Sequence, residues 1–316
     1  MAAFGATSTA DEVLAGHDLS GKTVFVTGGA SGIGQEAARA MAAKGAHVVI
    51  AARNQAKLDE ALAAIKADTG STTVEALLLD LASLDSVRAC ADQANERLDK
   101  IDLLINNAGV MACPLQKTAD GFEMQFGTNH LGHFLLTSRL MPLIEKGANK
   151  RIVNLSSRAH HIAPTNLEDP NFESAAYDPW LSYGQSKTAN VLFSVALEER
   201  YADRGIHAYA VHPGGIATNL GRHLSEEQAA ALVERVQTSD PDFAWKSIEQ
   251  GAATSCFAAT APELEGKGGV YCEDCHVAPV DEVSAKSGVR RYALDKTSAE
   301  KLWSLSEDLV GEAFGS

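Results

Sequence analysis

Thr23-Val-Phe-Val-Thr27 runs directly into Gly28-Gly29-Ala30-Ser31-Gly32-Ile33-Gly34, and this stretch decides how the chain is built. Five β-branched and aromatic-rich residues read as a strand covered on both faces. The glycines then turn the chain into an Ala-rich helix that reaches about Lys44. A helix starting there leaves its first backbone N–H groups unpaired, and those groups together with the helix dipole attract a pyrophosphate. Glycine lets the backbone turn tightly and approach phosphate closely. A glycine-rich loop by itself reads as a simple turn. Its place between the first strand and the first helix makes it a dinucleotide loop.

Working outward, apolar runs of strand length alternate with helical patterns. Strands are expected at 47–51, 74–79, 101–105, 151–155, 207–211 and near 269–271. Helices are expected near 55–68, from Ser83 as an N-cap, across 121–144, over 181–201, and near 226–237 and 245–260. Near-continuous apolar strands separated by helices predict an α/β fold: a single-domain, Rossmann-type, doubly wound parallel sheet with helices on both faces. The domain is expected to span 21–279, with an N-terminal arm at 1–20 and a polar C-terminal extension at 280–316.

Composition narrows the function. The chain has 316 residues and a net charge of −14, which repels phosphate backbones and excludes nucleic acid as a partner. Residues 1–20 lack the apolar core of a secretory signal, and no run of about 18 apolar residues occurs. The expectation is a cytoplasmic protein without a membrane anchor. Cys90, Cys113, Cys256, Cys272 and Cys275 make an odd set, which argues for free thiols. Cys272-Glu-Asp-Cys275-His276 matches a haem-attachment pattern, but that chemistry belongs to exported proteins, and here the pattern follows the last expected strand. His130 and His133 stand three apart without a carboxylate or thiol, so they read as packing or surface histidines, and no metal is expected.

The end of the second strand bears on the cofactor. An acid there would bind a ribose 2′-hydroxyl and repel a 2′-phosphate. Ala51-Ala52-Arg53-Asn54 holds no acid, and Arg53 could pair with that phosphate, although it also reads as a solvated arginine. NADP(H) is therefore favoured, with NAD(H) open.

Tyr183-Gly-Gln-Ser-Lys187 puts two side chains on one helix face. A nearby ammonium and an oxidised nicotinamide both favour the tyrosinate, which turns a phenol of pKa near 10 into a usable acid or base. The spacing alone is common on helix surfaces. Ser156-Ser157 ends the fifth strand at the same rim, where a hydroxyl can meet a substrate oxygen or cap a turn. Asn129 sits inside the long helix, where an amide has poor propensity and so suggests a specific partner or a buried structural role.

In order, TGGASGIG at 27–34, NNAG at 106–109, Asn129, LSS at 155–157, YGQSK at 183–187 and HPG at 212–214 resemble the short-chain dehydrogenase/reductase superfamily. Within it, TADEVLAGHDLSGK at 9–22 and SYGQSKTANVLFSVALEER at 182–200 look like the retinol dehydrogenase and WW-domain oxidoreductase branch. The resemblance implies a catalytic tetrad of Asn129, Ser157, Tyr183 and Lys187, with Ser157 taken over Ser156. Tyr183 would move the proton, Ser157 would polarise the oxygen, and Lys187 would lower the tyrosine pKa and bind the nicotinamide ribose. Asn129 would hold a water.

The implied cofactor contacts are Gly28, Ala30, Ser31, Gly32, Ile33 and Gly34, then Arg53 and Asn54. Asp80 and Leu81 would lie on the adenine, although Asp80 also reads as a helix cap. Asn107, Ala108 and Gly109 would follow along the ribose, with Pro213, Gly214, Ile216 and Thr218 at the nicotinamide amide. Tyr183 and Lys187 complete the set.

The 158–182 segment is longer than usual for this family and would lie beside the substrate cleft. Its His160 and His161 either bind substrate or, more often in such loops, face solvent. Residues 219–245 would close as a lid. Helices around 121–144 and 181–201 form subunit faces in many such proteins, which implies a homodimer or homotetramer.

The expected activity interconverts a small-molecule alcohol and a ketone or aldehyde. The alternatives are a catalytically silent NAD(P)-binding sensor or scaffold, and an enone reductase on the same fold.

Overall fold

The computed structural model describes residues 4–240 and 243–315; residues 1–3 of the expected arm, 241–242 of the expected lid and 316 lie outside the described residues. Strands β1 (Thr23–Thr27), β2 (His47–Ala52), β3 (Val74–Leu78), β4 (Leu103–Asn106), β5 (Lys150–Leu155), β6 (Ile206–His212), β7 (Val270–Glu273) and β8 (His276–Val277) form one sheet. Their order is β3-β2-β1-β4-β5-β6-β7-β8. Every pairing is parallel except β7 with β8. The expected doubly wound sheet is therefore present. The winding reverses between β1 and β4, where Val24 pairs with Leu103 and Val26 with Ile105. A crevice opens above the carboxyl ends at such a reversal.

One face of the sheet carries α2 (Gly32–Ala42), α3 (Gln55–Thr69) and α9 (Ile248–Thr260), packed through Ala38, Met41, Leu58 and Phe257. The other face carries α4 (Leu84–Arg97), α6 (Gly132–Ile144), α7 (Pro179–Tyr201) and α10 (Lys296–Val310). Local chemistry sets the helix starts. The Asn54 side chain caps α3, Ser83 caps α4 as expected, and Asp178 caps α7 ahead of Pro179. One turn, α1 (Ala10–Val13), opens on a Thr9–Glu12 capping box and buries Val13 and Leu14.

Two expectations need correction. The expected helix across 121–144 begins later and is broken. Gly121 adopts φ +87° in a turn, a short α5 (Met124–Phe126) follows, and Gly127–Leu131 is a π-helix before α6. A π-turn frees backbone groups, and such turns often mark functional sites. The region 280–316 is polar on one side only: α10 buries Leu302, Trp303 and Val310 in the core. The Trp303 ring lies 5.2 Å from Phe134 and 4.3 Å from Phe314. Its apolar residues at helical spacing explain the packing.

Among the described residues, no helix is long and apolar enough to cross a membrane.

Candidate active site

A cavity of about 1230 Å³ opens above the carboxyl ends of β1, β4, β5 and β6. It runs from Arg53, Asn54 and Asp80 at one end to Ser157, Tyr183 and Lys187 at the other. Gly28, Ala30, Ser31, Gly32 and Ile33 line its floor, with Leu81, Asn107, Ala108, Gly109, Pro213, Gly214, Ile216 and Thr218 along its walls. Asn129 and Gly34 do not line it. Gly34 packs instead: a Cβ there would collide with the Asn107 side chain and stand 2.6 Å from the Gly28 carbonyl.

The floor fits a dinucleotide. Gly28 has φ +69°, and a Cβ on it would stand 3.0 Å from the Ala108 backbone. Ser31 precedes α2 but makes no side-chain cap, so the first N–H groups of α2 are not occupied by that hydroxyl. A Cβ on Gly32 would meet nothing closer than Thr218 at 3.6 Å, which leaves room over the helix start. Asp80 does not cap a helix. Its carboxylate accepts from the backbone of Ala82 at 3.0 Å, while Ser83 caps α4.

Beneath the floor lies a buried relay. Thr27 Oγ1 accepts from the backbone N–H groups of Asn107 at 2.9 Å and Ala108 at 3.0 Å. With its lone pairs engaged, the hydroxyl donates to His133 Nε2 at 2.8 Å. His133 Nδ1–H then donates to the Asn129 carbonyl at 2.9 Å. Burial pushes this imidazole down to about 4, so it stays neutral. His133 thus joins the nucleotide loop to the π-helix. His130 faces the other way, against Phe126 and Phe193, with Nε2 2.8 Å from Ser306 Oγ. Of the packing or surface roles expected for this pair, His130 takes the packing one, and His133, also buried, makes a relay that was invisible in sequence.

The four tetrad residues converge. Tyr183 and Lys187 lie one turn apart on α7, with the Lys187 Nζ 5.6 Å from the Tyr183 ring centroid. Nζ donates to the Leu155 carbonyl at 3.0 Å. The Asn129 side chain is bound by protein: Oδ1 accepts from Val110 N at 2.8 Å, while Nδ2 donates to Val110 O at 3.0 Å and to Ser186 Oγ at 2.9 Å. Ser157 Oγ accepts from Ala159 N at 3.1 Å. Ser156 points elsewhere, its hydroxyl donating to the Lys187 carbonyl at 2.8 Å. That geometry separates the two serines.

The electrostatics differ from the sequence expectation in one respect. Burial pushes the Tyr183 phenol up to about 12, with the Ser157 hydroxyl opposing the shift. Burial alone pushes the Lys187 ammonium down to about 8. Desolvation therefore dominates at the phenol. The Lys187 ammonium, 5.6 Å from the ring centroid, is of the sign that favours the ionised phenol.

Other residues escaped sequence reasoning. Lys57 and Arg222 line the cavity at the same end as Arg53. Burial and, after it, the proximity of Arg53 lower the Arg222 guanidinium pKa. Neither Arg53, Lys57 nor Arg222 has a carboxylate partner among the described residues. Three cations that no carboxylate pairs suit an anion, although Asp80 lines the same end. Within the expected lid, α8 (Glu226–Ser239) turns Leu232, Val233 and Val236 to the cavity, and Phe243 and Trp245 follow. His160 is fully buried, not solvated. The Cys272–Cys275 pattern is a tight hairpin between β7 and β8, with Asp274 at φ +46° and Cys275 at φ +58°. Both thiols are buried and burial raises their pKa values, to about 12 and about 11.

A Rossmann-type sheet with a nucleotide crevice and a Tyr–Lys helix at its rim defines a class of dehydrogenases, and the chain belongs to it: the short chain dehydrogenase family matches residues 22–229. It is an NAD(P)-dependent oxidoreductase. The chain is 41% identical over 320 residues to a Brassica napus protein, short-chain dehydrogenase TIC 32 B, chloroplastic, covering 97% of this chain and 94% of that one. It is 41% identical over 293 residues to mouse retinol dehydrogenase 12, covering 93% of this chain and 87% of that one. A Mycobacterium paratuberculosis crystal structure superposes with a TM-score of 0.74 at 35% identity, covering 98% of this chain and 99% of that one.

Proposed function

We propose that the protein interconverts a fairly apolar alcohol and its ketone or aldehyde, with NADP(H) as cofactor and Tyr183 as the group that moves the proton. One observation carries this reading: Tyr183, Ser157 and Lys187 meet at one end of a cavity whose other end holds Arg53 and whose floor is the glycine loop.

The bound nicotinamide supplies or accepts the hydride. The N-terminus of α2 and the Gly28–Ile33 backbone bind the pyrophosphate. Arg53, aided by Lys57 and Arg222, holds the 2′-phosphate, since β2 ends without an acid. Ser157 Oγ–H points at the substrate oxygen and orients it. Tyr183 Oη gives its proton to that oxygen in reduction and takes it back in oxidation. Lys187, positively charged below about pH 8, stabilises the tyrosinate left behind. Asn129 holds Val110 and α7 together, which keeps Lys187 in register.

Met111, Met124, Ile162, Trp180, Phe243 and Trp245 line the cavity. Such a wall suits an apolar substrate. That a relative is named a retinol dehydrogenase accords with an apolar alcohol.

The test is a panel of alcohols, carbonyls and enones followed by nicotinamide absorbance, run with wild type and Tyr183→Phe. The variant is expected to lose about a thousandfold in turnover and to keep cofactor affinity. Turnover equal to wild type in Tyr183→Phe refutes the mechanism. Consumption of enones alone would favour carbon–carbon reduction. Cofactor binding without any turnover would favour a silent sensor.

A further inference from the structure

The backbone of residues 288–292 is stitched to the loop that carries Ser157 by two adjacent histidines. His160 is fully buried. Its Nε2 lies 3.2 Å from the backbone nitrogen of Arg290. A backbone N–H can only donate, so Nε2 carries the lone pair and Nδ1 carries the proton. Nδ1–H therefore donates to the Ser157 carbonyl at 2.8 Å.

The ring lies against Tyr271 of β7, with centroids 4.7 Å apart. The His160 carbonyl accepts from Tyr292 Oη at 2.5 Å and from Thr188 Oγ1 at 3.3 Å, and Thr188 follows Lys187 on α7. Next to it, His161 Nε2–H donates to the Gly288 carbonyl at 2.8 Å. The Arg290 guanidinium donates to the carbonyls of Asp281 and Ser284, closing 281–290 into a compact loop. Ala285 and Arg290 of that loop also line the cavity.

Ser157 is thereby held at two points. Its hydroxyl oxygen accepts from Ala159 N, and its carbonyl accepts from His160. Both constraints act on one residue, which leaves the hydroxyl proton free to turn toward Tyr183 and the substrate oxygen. Removing the carbonyl bond frees the peptide to rotate and carries the hydroxyl with it.

We propose that His160 is a positioning residue, setting the catalytic serine at a register dictated by residues 288–292, so that the C-terminal segment is part of the active-site frame. The proposal rests on the alcohol–carbonyl reading above. Burial holds the ring down to about 3, so it stays neutral and keeps this tautomer across the working pH range.

The groups facing Tyr183 are Lys187 on its own helix, Ser157 on the preceding loop, Trp180 at the start of α7 and Tyr271 on β7. Of these, Ser157 works to lower the tyrosine pKa, so its displacement has a signature in the pH profile.

The experiment compares wild type with His160→Phe, which keeps the ring against Tyr271, and His160→Asn, whose Nδ2–H stands where Nδ1–H stood. His160→Phe is expected to lose about a hundredfold in kcat with unchanged NADPH affinity and circular dichroism. The alkaline limb of its kcat profile should move to higher pH. His160→Asn should recover about tenfold of that loss.

Two further variants isolate the bond should His160→Phe fail to fold. Arg290 has φ −73°, which proline shares, so Arg290→Pro removes the N–H while Arg290→Ala keeps it. The proline variant should show the same upward shift and the alanine variant should not. A pH limb and kcat that coincide with wild type in His160→Phe, or in Arg290→Pro relative to Arg290→Ala, overturn the proposal. Wild-type turnover in Tyr183→Phe would instead defeat the underlying mechanism, which separates the two failures.

Discussion

The Asn129 side chain grips both polar backbone groups of Val110, accepting from its N–H at 2.8 Å and donating to its carbonyl at 3.0 Å. This reciprocal pair spans the gap between the π-helix and the turn after β4. Its remaining donor reaches Ser186 on α7, so a single amide ties three segments around Lys187. Asn129→Ala leaves the Val110 groups and Ser186 buried without this partner, at a cost of about 1–3 kcal/mol for each group that stays unsatisfied. Asn129→Asp also removes the donor and puts a carboxylate against the Val110 carbonyl. Thermal denaturation should rank the aspartate variant below the alanine variant, and both below wild type. Equal melting temperatures would refute this account of the amide.

Lys187 carries a pH signature. Burial holds the folded ammonium down to about 8, below its ordinary 10.5. Below pH 8 the lysine is charged in both states, and the folded protein bears the full desolvation penalty. Between about 8 and 10.5 the folded group is neutral while the unfolded one still binds its proton, so rising pH stabilises the fold. The penalty is on the order of 3 kcal/mol. Lys187→Met is expected to melt higher than wild type at pH 7, with an advantage that shrinks as pH rises toward 10.5, while turnover is lost. Melting curves across that range check the sign, and an advantage that grows with pH contradicts it.

The proposed preference for NADP(H) draws on a cluster that only the folded chain assembles. Arg53 and Arg222 come from segments far apart in sequence and line one end of the cavity. Arg53→Ala and Arg222→Ala should each weaken NADPH by roughly tenfold and leave NADH unchanged, consistent with loss of one charge-assisted contact to the 2′-phosphate. Fluorescence titration of both cofactors reads this directly. Parallel losses for NADH and NADPH would assign the arginines to another task.

Gly34 makes a purely steric prediction. Its Cβ would collide with the Asn107 side chain and press on the Gly28 carbonyl at 2.6 Å. Gly34→Ala should destabilise the protein by about 1–3 kcal/mol and weaken both cofactors equally, because the whole loop must shift. Selective loss of one cofactor would argue for direct contact instead.

Trp303 tests the status of the C-terminus. Its ring packs against Phe134, Phe193 and Phe314 and is nearly inaccessible. Trp303→Ala should lower unfolding free energy by about 3–5 kcal/mol, measured by denaturant titration. A change within half a kcal/mol would return α10 to the status of an appendage.

Much of this protein was legible in one dimension. The strands β1 and β2 announce themselves as near-continuous apolar runs because both faces of a parallel sheet are covered. The Tyr183–Lys187 spacing sets both side chains on one face of a helix regardless of what surrounds it. The break at Gly127–Leu131 was not legible, because the sequence there is compatible with a regular helix and the π-turn comes with the Asn129 and His133 contacts. The burial of α10 was missed because its polar face dominates its composition.

The linear chain determined the alternation of elements, the glycine loop after the first strand and the identity of the tyrosine, since each depends on neighbours a few positions away. Tertiary packing alone decided which of two adjacent serines gives its hydroxyl proton to the backbone, the proton position on His133 and His160, the convergence of Arg53 with Arg222, and the burial that drives the Tyr183 and Lys187 pKa values apart. Those properties depend on desolvation and on partners brought together from separate elements, several of them more than a hundred positions apart, which local pattern does not encode.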